Sequence, residues 1–394
     1  TLMSRALCVI LDILLVHMAS AWQPKPHPAG YVCQKTPQRP PMDGKLDGVW
    51  ELAAWTDEFV DIEGPSKPKP HHSTRVKMLW DEDHLYIGAW LDEPHPWATL
   101  ALHDSVVYKD NDFEVFIDPD GDNHQYFEWE INALGTIWDL FMVKPYRDGG
   151  PAIHSFESIA SSEPTQADGP TGWQPMTRGV FVDGSLNDGS VMSKGWGVTF
   201  AFPWSVLIQA GETKPDVPPL SGDQWRINFS RVQWSLRWDE ATSAYVKDPP
   251  DQDENNWVFS PQWAIAMHQP ETWGYLQFSN SLVGTPAEAM VQDNTWPLRS
   301  FLMEAYYRQK NHWEEAGVYA DTWEGLGLEP SDSIADRLLV QTTEASFIVT
   351  GQLELPSCSG TQDPLKSEQQ SEHQQQWLRL YVNEEGKITK RIIT

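Results

Sequence analysis

The sequence predicts a mainly β protein, an antiparallel β-sandwich of jelly-roll or immunoglobulin-like type with a small C-terminal α+β appendage. Three observations carry this. Short runs of alternating apolar and polar residues recur along most of the chain. Clusters of Gly, Pro, Asn and Asp, such as Arg147-Asp148-Gly149-Gly150-Pro151, separate them. A sustained helical period appears only late, over Pro297 to Gly317, where Leu298, Phe301, Leu302, Ala305, Tyr306 and Trp313 recur.

The elements follow in order. Met3 to Ala21 has the layout of a secretory leader, with basic Arg5, an apolar run from Leu7 to Val16 interrupted by Asp12, and Ala19-Ser20-Ala21 as a small-residue cleavage site. Translation is expected to begin at Met3 and the mature protein to be secreted. Residues 22–30 read as a Pro-rich tail, 31–279 as the sandwich, 280–296 as a linker, and 297–394 as the appendage. Within the sandwich a short helical turn is expected over Trp50 to Ala54. Strands are expected at Arg75–Trp80, Leu85–Trp90, Phe113–Ile117, Tyr126–Ala133, Ile137–Val143, Gly179–Val182, Gly195–Phe202, Gln224–Trp234 and Gly274–Phe278. A helical piece is expected at Pro203–Ala210. In the appendage, strands are expected at Arg337–Gln341, Ala345–Glu354 and Trp377–Val382, with Ser367–Gln376 a polar loop.

Composition narrows the partners. The chain has 394 residues, 21 of them Trp, a side chain that stacks on flat ligands as well as filling cores. Asp plus Glu number 56 against 28 Lys plus Arg, a net charge of -28 that argues against nucleic acid or an anionic membrane surface. After the leader no stretch reaches the ~20 apolar residues of a membrane helix. Loss of Cys8 with the leader leaves Cys33 and Cys358, either a disulfide or two thiols.

The chemistry concentrates in Tyr108 to His124. An alternating strand runs into Asp118-Pro119-Asp120-Gly121-Asp122, a hairpin signal. Asp118, Asp120 and Asp122 at alternate positions resemble the opening of a calcium loop, and hard oxygens suit calcium; a solvated hairpin tip is the other reading. In Tyr126–Asn132 the alternation sends Phe127, Trp129 and Ile131 to one face and Tyr126, Glu128, Glu130 and Asn132 to the other. With Glu114, and with Tyr108 and Asp112 at the entrance, these form a polar face. It can accept hydrogen bonds from sugar hydroxyls, hold a cation, or supply the two carboxylates roughly 5 to 9 Å apart that glycoside hydrolysis needs. Arg226 and Asn228 share a face, and Asp253 to Trp257 is a polar loop ending in an aromatic wall. No phosphate-binding Gly-rich loop, zinc spacing or G-x-S-x-G elbow is present.

With those residues in view, Tyr31 to Ser279 resembles the family 9 carbohydrate-binding modules. The carriers are Met42-Asp43-Gly44-Lys45-Leu46-Asp47 before Trp50, Leu85-Tyr86-Ile87-Gly88, and above all Asn111-Asp112-Phe113-Glu114-Val115-Phe116-Ile117-Asp118-Pro119. Gly195-Trp196, Ala201-Phe202-Pro203-Trp204 and Gly274-Tyr275-Leu276-Gln277-Phe278 follow in the same order. The resemblance implies a sandwich that binds sugar between two aromatic walls and carries structural calcium. By motif, Tyr108 takes the first wall, Glu114 and Asn132 are polar ligands, Arg226 or Arg231 matches the family's Arg, and Asn256 with Trp257 supplies the second wall. Tyr108 stands where the best-studied modules have Trp, and Glu130 where the family often has Arg. The expected function is a secreted, non-catalytic carbohydrate-binding protein for an oligo- or polysaccharide, with calcium as structural ion. The alternatives are a secreted glycoside-active enzyme using Glu114 with Glu128 or Glu130, and a structural protein whose sugar site has decayed.

Overall fold

The computed structural model describes residues 22–150, 152–153, 175–208, 216–330, 337–354 and 376–393. The leader, Cys358 and nearly all of Ser367–Gln376 lie outside them. The chain forms two compact units, Pro28–Gln292 and a second in which the N-terminal segment joins Asp293–Thr394.

The first unit is the sandwich. Its strands are β1 (Gly30–Lys35), β2 (Val60–Asp61), β3 (Thr74–Trp80), β4 (His84–Asp92), β5 (Asp112–Asp118), β6 (Tyr126–Asn132), β7 (Ile137–Met142), β8 (Ala152–Ile153), β9 (Thr177–Asp183), β10 (Gly195–Pro203), β11 (Gln224–Gln233), β12 (Leu236–Asp239), β13 (Ala244–Lys247), β14 (Asn255–Val258) and β15 (Gly274–Leu282). The hydrogen-bonded order β8-β7-β6-β5-β11-β15-β1-β3-β4-β10-β9 curls so that its two halves face each other. Trp129 of β6 meets Phe202 of β10 at 4.5 Å between ring centroids, and Phe113 of β5 stacks on Phe200 at 6.4 Å. One core takes Phe113, Val115 and Ile117 from β5, Phe127, Trp129 and Ile131 from β6, and Val198, Phe200 and Phe202 from β10. The period of two that marks these strands in the sequence is therefore the division between core and outer face.

The structure corrects several expectations. β1 runs parallel to both β15 and β3, so the sheet is not purely antiparallel. The β12–β13 hairpin has no counterpart among the expected strands. The helical piece at Pro203–Ala210 is a single turn, Trp204–Leu207. Phe116, although apolar, points away from the main core, against Trp273 and His268. Cys33 is fully buried in the core, while its candidate partner Cys358 lies outside the described residues.

In the second unit the helix Trp296–Ala316 packs on an antiparallel sheet of β16 (Leu338–Thr342), β17 (Phe347–Glu354), β18 (Trp377–Asn383) and β19 (Ile388–Ile393). Leu298, Phe301, Leu302, Ala305 and Tyr306 make the buried stripe against Phe347, Val349, Leu380 and Val382. Trp313 instead stacks on Tyr319 and stays half-exposed. The Pro-rich segment is not a loose tail. Trp22 packs edge-on against Phe301, and the Lys25 carbonyl accepts from Trp296 Nε1 at 2.8 Å. The helix ends at Gly317, whose φ of +71° suits a residue without Cβ.

Candidate functional site: an acid-floored aromatic cleft

The outer face of β5, β6 and β11 builds the site. Glu114 stands opposite Glu130 on one side and Ser230 on the other, and Phe116 stands opposite Glu128. β7 extends the same rows, placing Trp138 beside Glu130 and Leu140 beside Glu128. Glu114, Phe116, Glu128, Glu130, Trp138 and Leu140 line a cleft of about 190 Å³, with Tyr108, Tyr146, Val232, Glu254, Asn256, Met267 and His268 around it. Tyr108 and Trp138 lie nearly parallel, 6.5 Å between centroids and 27° between planes. Tyr108 is 37% exposed and Tyr146 49%, so both are reachable by an incoming ligand.

Glu130 sets the aromatic rim. Its Oε2 accepts from the backbone N–H of Tyr108 at 2.8 Å, and the Tyr108 carbonyl accepts from Trp234 Nε1 at 2.9 Å. The floor carries a high charge density for its burial. Asp112, Glu114, Glu128 and Glu130 are each at most 5% exposed. A carboxylate oxygen from each of Asp112, Glu114 and Glu130 lies within 4.8 Å of the others. Burial pushes the Glu114 carboxyl up to about 7. Burial, and then the charge of Glu114, hold Asp112, Glu128 and Glu130 well above the usual carboxylate range. His268 is neutral: burial, then Arg147, lower it to about 4, and its Nδ1 pairs with the Tyr126 hydroxyl at 2.8 Å. Among the described residues, Glu114 Oε2, Glu128 Oε2 and Ser230 Oγ are buried without a hydrogen-bond partner.

Of the residues expected to bind ligand, Tyr108, Glu114 and Asn256 meet in this cleft. Asn132 does not. Its Nδ2 donates to Leu100 O and Asp110 Oδ2, and its Oδ1 accepts from Leu134 and Thr136 N–H, which uses the carboxamide to fix a turn. Arg231 and Trp257 lie on the core side of the sheet. Arg231 stands opposite Phe113, bonds Glu93 at 3.0 Å and Thr74 at 3.0 Å, and sits over the Trp257 ring. Trp257 packs in the core and meets His71 edge-on, so it is not an exposed wall. Arg226 shares the outer face but lies at the far end of β11, opposite Asp118. It donates to Glu271 O at 2.6 Å and covers the Tyr275 ring. Trp138, Tyr146 and His268 were absent from the expected set. Trp138 was within reach of the pattern, because Ile137–Met142 alternates and Trp138 pairs with Glu130.

At the same end the β5–β6 turn gathers Asp118, Asp120 and Asp122, whose oxygens also lie within 4.8 Å of one another. Asp118 is fully buried and accepts from Gly121 N–H at 2.9 Å and Asn123 N–H at 3.0 Å. Burial, then Asp120 and Asp122, raise it well above the usual range. Each of its oxygens keeps a second lone pair for a hard cation, so the donor set fits calcium.

Residues 42–140 match the family model described as carbohydrate family 9 binding domain-like. The chain carries a carbohydrate family 9 binding domain-like module. It is 32% identical over 79 residues to endo-1,4-beta-xylanase C of Paenibacillus barcinonensis, covering 20% of this chain and 6% of that enzyme. Over 91 residues it is 26% identical to endo-1,4-beta-xylanase A of Thermotoga neapolitana, covering 23% of this chain and 8% of the enzyme. The chain thus spans under a tenth of the curated relatives it matches. Among solved structures it is similar to a putative carbohydrate-binding protein from Bacteroides uniformis, with TM-score 0.43, 16% identity, and 64% of this chain and 100% of that one covered. It is also similar to a family 9 module from Caldicellulosiruptor kristjanssonii in complex with cellotriose, with TM-score 0.35, 13% identity, and 67% and 100% covered. The matched region holds the family 9 module's acidic strand pair and most of the cleft floor.

Proposed function

We propose that this chain is a secreted, non-catalytic carbohydrate-binding protein that takes an oligo- or polysaccharide into the cleft above Glu114. The observation that carries this is the pairing of exposed aromatic rings with buried carboxyl oxygens that lack a hydrogen bond among the described residues, Glu128 Oε2 lying 3.7 Å from His268 Nε2. Tyr108 and Trp138 offer surface on which a pyranose ring stacks. Glu114 Oε2 and Glu128 Oε2 each cost about 1–3 kcal/mol while unpaired, which hydroxyls of a bound sugar relieve. Partly protonated carboxyls can both donate to and accept from hydroxyls. A cleft of about 190 Å³ is below the ~300–1,000 Å³ of enclosed small-molecule pockets. It suits one sugar ring with the rest of the glycan outside. The family 9 module supports the same reading. Calcium held by Asp118, Asp120 and Asp122 belongs to the proposal as a structural ion that neutralises the turn. It takes no part in sugar contact.

The raised Glu114 carboxyl favours a second reading, a glycoside hydrolase with Glu114 as acid and Glu128 or Glu130 as partner. Hydrolysis needs one carboxyl protonated and one ionised. Burial raises Glu114, Glu128 and Glu130 alike, and among the described residues no Lys or Arg lines the cleft to keep one of them ionised. Binding is therefore the better account. A glycan array followed by incubation of every bound glycan with the protein separates the two. Capture without new reducing ends is expected. Hydrolysis that disappears on Glu114→Gln would make the protein an enzyme. Export is tested by fractionating cells that express the full sequence; retention of the chain inside the cell contradicts it.

A further inference from the structure

The sheet of the second unit has one face on the helix and one face away from it. On the outward face the register aligns three arginines in a single row. Arg379 of β18 stands opposite Gln352 on β17 and opposite Arg391 on β19. Arg337, one residue before β16, continues that strand's register opposite Gln352. Arg391 is exposed and the other two are half-buried. Among the described residues the arginines of this unit that form ion pairs are Arg299 and Arg308, both on the helix. Two of the three in the sheet row have neutral partners instead, and Arg391 stands opposite Arg379. With its side-chain oxygen turned to Arg379, Gln352 accepts from Nε at 2.8 Å and Nη2 at 2.6 Å. Arg337 lies over the Trp377 ring at 5.0 Å. Such partners orient a guanidinium without neutralising it. Glu354 is the acid of this face, one row further on, opposite Trp377.

A hollow of about 260 Å³ opens on the row, lined by Arg337, Gln341, Thr350, Gln352, Arg379 and Tyr381. In a chain of net charge -28, three arginines in one row, with no ion pair to an acid among the described residues, concentrate positive charge on this face. We propose that this face is a second glycan site, separate from the cleft, that binds the carboxylates or sulfates of an acidic polysaccharide. Guanidinium forks take planar carboxylate and sulfate groups in paired hydrogen bonds. Neighbouring strands are ~4.8 Å apart, so the row offers charge at intervals along a line, which suits a polymer with repeated anionic groups better than a lone anion. Tyr381, Trp377, Thr350 and Gln341 supply ring faces and hydrogen bonds for the sugar between those groups.

The test is calorimetric titration of the full chain with polygalacturonate, dextran sulfate and unsubstituted dextran. The wild type is expected to bind one or both charged polymers and not plain dextran; which charged polymer it prefers assigns carboxylate or sulfate. Arg379→Gln with Arg391→Gln should weaken that binding at least ten-fold without changing the melting temperature. Arg337→Gln, at the row's other end, should weaken it alone, and Arg379→Lys should restore only part of the loss. Tyr108→Ala in the cleft should leave it unchanged. Absence of charged-polymer binding by the wild type, or equal binding by the arginine variants, would overturn the proposal. So would loss on Tyr108→Ala.

Discussion

Arg231 and Glu114 stand on neighbouring strands, yet their side chains leave opposite faces of the sheet. Glu114 pairs with Ser230, whereas Arg231 pairs with Phe113, a core residue. The parity was legible: Arg226 and Asn228 share a face, and Arg231 falls on the other. Matching by family motif overlooked that parity. Arg231 is 1% exposed, and burial lowers its pKa to about 10 despite Glu93. Removing one partner of such a buried pair costs ~3–5 kcal/mol. Glu93→Gln is therefore expected to lower stability by that order in urea unfolding while leaving ligand affinity within two-fold; a selective loss of affinity contradicts the assignment. The cleft carboxyls give the opposite pH signature. A glutamate whose folded pKa is raised holds its proton more tightly in the folded state. Its contribution is most favourable below the ordinary glutamate value and falls as pH rises toward 7. Thermal melts of the wild type should lose stability across that window more steeply than melts of Glu114→Gln, and parallel curves would contradict the burial argument.

The β5–β6 pair shows how far element-level reading goes. Both strands alternate cleanly, and the faces of Tyr126–Asn132 fall where the pattern puts them, because a half-buried strand must obey a period of two. Phe116 broke the rule of apolar residues facing the core because the outer face has an aromatic cluster of its own, with Tyr126, Met142 and Trp273. β1 was missed because a six-residue strand of mixed polarity declares itself only through two partners remote in sequence, β15 and β3. The β12–β13 hairpin hid in a polar, charged stretch whose Trp238 and Tyr245 pack locally against Trp97 and Trp234. The acidic turn, by contrast, was plain in the sequence, and its ion is a proposal with a direct readout. Calcium at a hundred times its dissociation constant should add about 2.7 kcal/mol, seen as a rise in melting temperature. Asp118→Asn should abolish the rise, and a wild-type melt insensitive to both calcium and chelator contradicts the site.

At the scale of the molecule, each unit has its own main core, one behind the cleft and one between the helix and β16–β19. The change of period at Pro297 made the second unit visible. The packing of Trp22 onto its helix was not visible, since nothing local in a Pro-rich stretch names a partner far along the chain. Tryptophan content was a blunter guide than it first looks: Trp50, Trp80, Trp129, Trp196 and Trp273 are all fully buried, and the cleft uses Trp138 with two tyrosines. Because the first unit closes its own core, residues 28–292 expressed alone should fold cooperatively and retain the glycan affinity of the full chain. An unfolded fragment in circular dichroism contradicts that independence. The central claim, a sugar stacked against the Tyr108 and Trp138 rings above the carboxyl floor, is tested most directly by calorimetry. The best glycan from an array is titrated into the full chain, Tyr108→Ala and Trp138→Ala. A base–aromatic-scale stacking loss of about 1–3 kcal/mol per ring, hence a roughly five-fold or greater drop in affinity for each variant with folding intact, is the predicted result. Equal affinity in all three proteins, or no glycan bound with or without calcium, contradicts it.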